Sequence, residues 1–129
     1  KARMLEMAGK IATDLKFVGT MAVEFFVLEN GEIIANEIAP RPHNSGHFSL
    51  DLCAISQFEN HIRAIAGMPI LEPQLIFEGE MLNLIGEEIN LITKYLDKQN
   101  SRIHIYGKEE IKSGRKMGHI NFIYDEIFT

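Results

Sequence analysis

Apolar residues recur at Met4, Leu5, Ala8, Ile11, Ala12 and Leu15, with Arg3, Glu6, Lys10 and Asp14 between them. That spacing predicts an amphipathic helix from the start of the chain to near Gly19. From about Thr20 to Leu28 β-branched and aromatic residues dominate, and residues 32–38 again read as a strand. Between them stands Asn30-Gly31, the dipeptide favoured in a two-residue hairpin turn because both residues tolerate positive φ. A second helix is predicted over 48–66 on the anchors Leu52, Ile55, Phe58, Ile62 and Ile65, with Gly67 as its stop. Pro69, Pro73 and Gly79 then mark a connector, placed at 71–80. Short alternating runs at 81–85, 102–106 and 119–124 predict strands, with a short helix at about 89–97. The expected class is α+β: a hairpin with helices over 1–70, then a small, mostly β unit over 81–129.

The hairpin has a chemical consequence. With Asn30 and Gly31 as the central turn residues, Glu29 pairs with Glu32, Phe25 with Asn36, and Glu24 with Glu37. Directly opposed side chains share a face, their β-carbons about 4.5–5.5 Å apart. Two carboxylates there, amid Phe26, Ile33 and Ala35, repel unless one is protonated, a Lys or Arg sits between them, or a divalent cation bridges them. The last suits hard oxygen ligands, and magnesium with phosphate oxygens completing its shell is the usual case. The plain alternative is a solvated face on which both glutamates are simply tolerated.

The loop that follows, "NEIAPRPHNSGH" at 36–47, concentrates polar chemistry between prolines. Arg41 stands between Pro40 and Pro42, presenting a planar fork suited to a carboxylate or phosphate; a surface pairing with Glu37 or Asp51 is the alternative. His43 and His47 have metal-like spacing, but Asn44-Ser45-Gly46 argues against a helical zinc site. A zinc cluster with Cys53 and His61 is the competing assignment, and His61 otherwise reads as structural or exposed. Ser45-Gly46 ahead of the predicted helix offers backbone N–H groups to an anion. Further on, "GKEEIKSGRKMGH" at 107–119 gathers Lys108, Lys112, Arg115 and Lys116, either an anion site or a solvated tip.

Composition narrows the class. Of 129 residues 46% are hydrophobic and 24% charged, as in a globular protein, and the net charge of −5 does not advertise nucleic-acid binding. The longest apolar run, around residues 18–28, is interrupted by Glu24 and too short to span a bilayer, and no secretion signal opens the chain. A single cysteine, Cys53, forms no internal disulfide and suits a reducing cytoplasm. The helical pattern begins at Lys1 itself, which leads us to expect a piece of a larger protein.

The run "AVEFFVLENGEIIANEIAPRPHNSGHFSLDLCAISQFENHIRAIAGMPI" resembles the N5-carboxyaminoimidazole ribonucleotide synthetase family of ATP-grasp enzymes, and "HIYGKEEIKSGRKMGHINF" resembles its C-terminal domain. The resemblance covers nearly the whole chain, and "NEIAPRPHNSGH" is its most specific part. It implies an ATP-dependent ligase of purine biosynthesis that carboxylates 5-aminoimidazole ribonucleotide with bicarbonate, releasing ADP and phosphate. In that family Glu24 and Glu37 would hold magnesium on ATP, Asn36 and Glu37 would lie against the nucleotide, and Arg41 would stabilise developing charge. His43 and Asn44 would line the substrate site, and Lys108 and Arg115 would grip the ribonucleotide 5′-phosphate. It implies a cytoplasmic homodimer for the intact enzyme, binding neither nucleic acid nor membrane. Many ATP-grasp members carry Asn two residues after the second glutamate, where this chain has Ala39. The lysines that clamp ATP and the glycine-rich loop are not among these residues, so this stretch alone is expected to be inactive. Related ATP-grasp enzymes of formate-dependent glycinamide ribonucleotide transformylase or biotin carboxylase type, and a non-catalytic metal- or nucleotide-binding module, are the alternatives.

Overall fold

The computed structural model describes residues 1–127 and is α+β. It divides into two compact units: Lys1–His47 with Ile55–Glu72, and Phe48–Ala54 with Pro73 onward.

In the first unit α1 (Ala2–Asp14) lies against β1 (Ala22–Val27), which pairs with β2 (Ile33–Ala39) as an antiparallel hairpin. The helix stops five residues before Gly19. Lys16 takes the left-handed conformation (φ 50°) and donates to Thr13 O, while Phe17 N–H reaches Ala12 O, so lysine fills the position that usually selects glycine. Residues 48–66 form not one helix but two. α2 (Ser49–Leu52) ends at an extended Cys53, and α3 (Gln57–Ile65) restarts behind Ser56, whose hydroxyl accepts the Glu59 N–H at 3.1 Å. The Ser-x-x-Glu spacing at 56–59 is the N-cap signal that splits the periodic stretch. Gly67 (φ 67°) closes α3 as expected, with Met68 N–H on Arg63 O and its own N–H on Ala64 O.

The hairpin differs from its expected form in an informative way. The turn is a three-residue loop, 29–31, with Gly31 at φ 82° and Leu28 N–H bonded to Glu32 O. Near the turn Val27 therefore faces Ile33, Phe26 faces Ile34 and Phe25 faces Ala35. A bulge between Glu24 and Phe25 then leaves Asn36 as an extra residue, and Glu24 meets Glu37 after all. Two one-residue irregularities cancel below the bulge. Above it the slip changes the company: Phe26 and Ile34 share the glutamates' face, while Ile33 and Ala35, expected there, lie on the other.

The second unit is a three-stranded antiparallel sheet in the order β3 (Phe77–Ile85), β5 (Lys116–Glu126), β4 (Ser101–Ile105). β3 begins at Phe77, so part of the stretch expected as connector is strand. The short helix is a 3-10 run, Gly86–Lys94, entered through Gly86 at φ 56°. Leu84 and Ile120 are fully buried at the centre. α2 packs on the face of Gly79; a β-carbon there would run into Phe122 O and stand about 3.0 Å from the Leu52 side chain. The polypeptide around the α2–α3 break pairs with the run into β3, through Ala54 N–H on Gln74 O (2.8 Å) and Ile76 N–H on Leu52 O (2.8 Å).

The same sheet face buries a polar network. Asp51 Oδ2 accepts from Asn121 Nδ2 (2.6 Å) and is hydrogen-bonded to His104 Nε2 (2.7 Å). His104 stacks on buried His119 at 4.5 Å between ring centroids, and His119 Nδ1 is bonded to Tyr106 OH at 2.8 Å. Asp51 thus ties the residues before the break to the central strand. Replacing Asp51 by alanine removes a hydrogen-bond partner from both the buried Asn121 amide and His104 and is expected to cost about 1–3 kcal/mol. Chemical unfolding of the full-length protein measures this, and a loss below about 0.5 kcal/mol would contradict it.

Candidate functional site

Glu24 and Glu37 are directly opposed in the ladder, and both are exposed, Glu24 by 48% of its side chain. Among the described residues Glu37 joins no ion pair, and the contact of Glu24 is with His43, whose Nε2 lies 3.5 Å from Oε1. Among the described residues neither carboxylate is paired with a lysine or arginine, so two adjacent hard oxygen donors face solvent. That donor set fits a magnesium ion sharing its shell with phosphate oxygens. Asn36, also exposed, is the bulged residue. Strict alternation, which would send it to the face opposite Glu37, is interrupted at this very position. Ala39 is buried and pairs with Ala22 at the end of the ladder; it brings no ligand.

The loop after β2 is held by its own backbone. Arg41 N–H bonds to Ala39 O (2.9 Å), and its guanidinium, exposed, donates to Pro42 O (3.0 Å), keeping most of its N–H donors outward. His43 is extended (φ −121°, ψ 150°) and caps the 3-10 turn Asn44–Gly46, its Nδ1 bonded to Ser45 Oγ at 2.9 Å. Asn44 is half-buried, and its carbonyl accepts the His47 N–H. The backbone of His43 is gripped by Gln57: Oε1 accepts its N–H (3.0 Å) and Nε2 donates to its carbonyl (2.7 Å). The same Nε2 lies 2.8 Å from His47 Nδ1.

The histidine–cysteine set does not converge on a metal. His43 is committed to Ser45 and Glu24, His47 to Gln57, and His61 Nδ1 accepts the Thr20 N–H at 3.0 Å. Cys53 forms a β-bridge with Leu75 in the second unit, and burial pushes its thiol up from the usual range. No group of three or more His, Cys, Asp or Glu able to hold a metal occurs among the described residues. The expected helix N-terminus behind Ser45-Gly46 is replaced by the 3-10 turn and the four-residue α2, too short for an anion site.

Lys108 and Arg115 lie in the second unit, on the loop joining β4 to β5. Lys108 is half-buried, its Nζ donating to Lys116 O and standing 5.5 Å from the Tyr106 ring centroid. Arg115 is exposed and donates to Glu110 O (3.3 Å), while Lys112 pairs with Glu110 (2.6 Å). Of this cluster one cation, Lys112, is paired with a carboxylate; Lys108 and Arg115 bond only to backbone carbonyls in the contacts described.

Residues 1–58 match the family model of the ATP-grasp domain, and residues 80–127 that of the phosphoribosylaminoimidazole carboxylase C-terminal domain. The N5-carboxyaminoimidazole ribonucleotide synthase of Bacillus subtilis is 51% identical over 119 residues, 92% of this chain and 31% of that protein. Both segments of the chain are therefore similar to parts of N5-carboxyaminoimidazole ribonucleotide synthetases. Solved structures of the synthetase agree. An ADP complex superposes with TM-score 0.84 at 45% identity, over 98% of this chain and 34% of that one. The Aspergillus clavatus enzyme with ADP and 5-aminoimidazole ribonucleotide gives 0.73 at 41% identity, over 82% and 30%. The chain spans about a third of the length of the synthetases it matches.

What the sequence reading missed is the support beneath the loop. His47 and His61 stood out in the sequence as metal candidates and Gln57 not at all, whereas in the structure His47 lies against Gln57 and His61 holds the Thr20 N–H. The one usable signal was the helix cap at Ser56, which places Gln57 in the first turn. A chemical expectation also follows for Cys53. Its raised pKa leaves less thiolate at any given pH, so alkylation of this residue in the native protein at pH 8 is expected to be several-fold slower than in the unfolded chain and to speed up as pH rises. Mass spectrometry of the Cys53 peptide measures it, and equal native and unfolded rates would contradict it.

Proposed function

We propose that this chain supplies the magnesium-binding hairpin and the substrate loop of an ATP-dependent ligase that carboxylates 5-aminoimidazole ribonucleotide with bicarbonate. The observation that carries the reading is the direct opposition of Glu24 and Glu37 in a solvent-facing ladder, one turn before an arginine fixed between two prolines. Support comes from the family of the relatives and from the ADP and ribonucleotide bound in one of their structures.

In this reading a bicarbonate oxygen attacks the γ-phosphorus of ATP and ADP departs, leaving carboxyphosphate. The amine of 5-aminoimidazole ribonucleotide attacks the carboxyl carbon, inorganic phosphate leaves, and the nitrogen loses a proton to give the N5-carboxylate. Glu24 and Glu37 would hold magnesium; when bound, the ion neutralises charge on the nucleotide phosphates. Asn36 and Glu37 contact the nucleotide. Arg41, with a planar fork whose donors are largely unspent, orients bicarbonate and stabilises the charge that develops on carboxyphosphate. His43 and Asn44, next along the loop, line the ribonucleotide site. Lys108 and Arg115 grip the 5′-phosphate. The intact enzyme acts as a homodimer in the cytoplasm. By itself this stretch does not turn over, because the remaining ATP contacts of an ATP-grasp site lie elsewhere in the longer protein.

In the full-length protein Glu24→Gln and Glu37→Gln are each expected to lower ribonucleotide-dependent ADP release at least about 100-fold, an effect of about 3 kcal/mol on the barrier. A coupled assay with bicarbonate reads it. Coupled turnover that survives both substitutions would remove the magnesium reading.

A further inference from the structure

The first turn of α3 grips both strands of the candidate site. The helix holds the entrance to β1: Gln57 O accepts from Thr20 Oγ1 at 3.1 Å, and the ring Nδ1 of His61, one turn along, accepts the Thr20 N–H at 3.0 Å. Thr20 lies four residues before Glu24. The Gln57 side chain holds the loop after β2. A primary amide has one oxygen and two N–H groups, and here they engage the N–H of His43, the carbonyl of His43 and Nδ1 of His47. Both backbone groups of His43 are thus fixed by one side chain, as a neighbouring strand would fix them.

We infer that Gln57 is a positioning residue, setting the backbone of His43 and with it the placement of Arg41 and Asn44 on either side. This rests on the functional reading above. Gln57 need not touch substrate to matter, because displacing a positioned group by about 1 Å can cost on the order of 100-fold in rate. The amide is required for its chemistry and not for its shape. A carboxylate of the same outline would still accept from His43 N–H, but would set an acceptor against both the His43 carbonyl and His47 Nδ1. Gly46 belongs to the same device. Its φ is not positive, so alanine suits its backbone, yet a β-carbon there would meet Gln57 Oε1 at 2.7 Å and Cδ at 2.9 Å. Glycine leaves room for the amide to lie across the turn.

The test compares wild type, Gln57→Glu and Gly46→Ala in the full-length protein, with ATP, bicarbonate and 5-aminoimidazole ribonucleotide each varied in turn. For Gln57→Glu, kcat/KM for the ribonucleotide is expected to fall at least about tenfold while KM for ATP stays within about threefold, since the hairpin glutamates are not bonded to Gln57. If Gln57→Glu does not fold, Gly46→Ala carries the test with the same split and the same limits. Ribonucleotide kcat/KM within threefold of wild type overturns the inference. So does an equal loss for ATP and ribonucleotide, or failure of both variants to fold, which would make Gln57 a structural staple. A wild-type protein without ribonucleotide-dependent turnover instead removes the functional reading, and the inference with it.

Discussion

Two like charges facing each other across a β-ladder are the constraint around which the first unit is arranged. For carboxylates about 6 Å apart the repulsion is roughly 0.7 kcal/mol in water and about 3 kcal/mol at an effective dielectric constant of 20. Glu24 and Glu37 are exposed, so solvent keeps the cost near the lower figure, and the His43 ring lies against Glu24. In the reading proposed above, a nucleotide covering that face would remove the screening, and a divalent cation would then be the natural counter-charge. The pair is tolerable when bare and demanding when covered, which is how a binding site for a metal–nucleotide complex should behave.

The two units are stabilised differently. In the first, α1 buries no residue, the described buried apolar residues are Ala39 and Ile55, and Phe26, Ile34, Ile62 and Ile65 remain exposed. Its order therefore rests on hydrogen bonds that Thr20, His43, Gln57 and His61 make between segments. The second has a conventional apolar centre at Leu84 and Ile120 and adds the chain of Asp51, His104, His119 and Tyr106. An apolar surface left open in a stretch spanning a third of its relatives' length is what a longer protein would cover.

Much of this was legible in the residues. The opposition of Glu24 and Glu37 followed from Asn30-Gly31, although by a route the molecule does not take. Asn-Gly announces a turn but does not distinguish a two-residue loop from a three-residue one, and nothing local marks Asn36 as a bulge. The two omissions cancel only below the bulge, so the glutamate pair was placed correctly while Ile33 and Ala35 were put on the wrong face. The single helix over 48–66 failed for a different reason. Apolar periodicity continues through Cys53 to Ser56, and only the capping signal at 56–59 reveals the break. The strands of the second unit stood out by alternation, but the contacts of Asp51 with His104 and Asn121 are 53 and 70 residues apart in sequence, beyond the reach of any local pattern. The Gln57 grip was invisible likewise, because a glutamine at the start of a helix ordinarily has nothing to hold.

The central claim, that the opposed glutamates bind a divalent cation with the nucleotide, is tested most directly by titrating the full-length protein with Mn²⁺ in the presence of ADP. Bound manganese is read by electron paramagnetic resonance for wild type and for Glu24→Gln and Glu37→Gln. The expected result is an ADP-dependent site in wild type that weakens at least about tenfold in each variant, more than about 1.4 kcal/mol of binding energy. Equal manganese affinity in all three proteins would contradict the account.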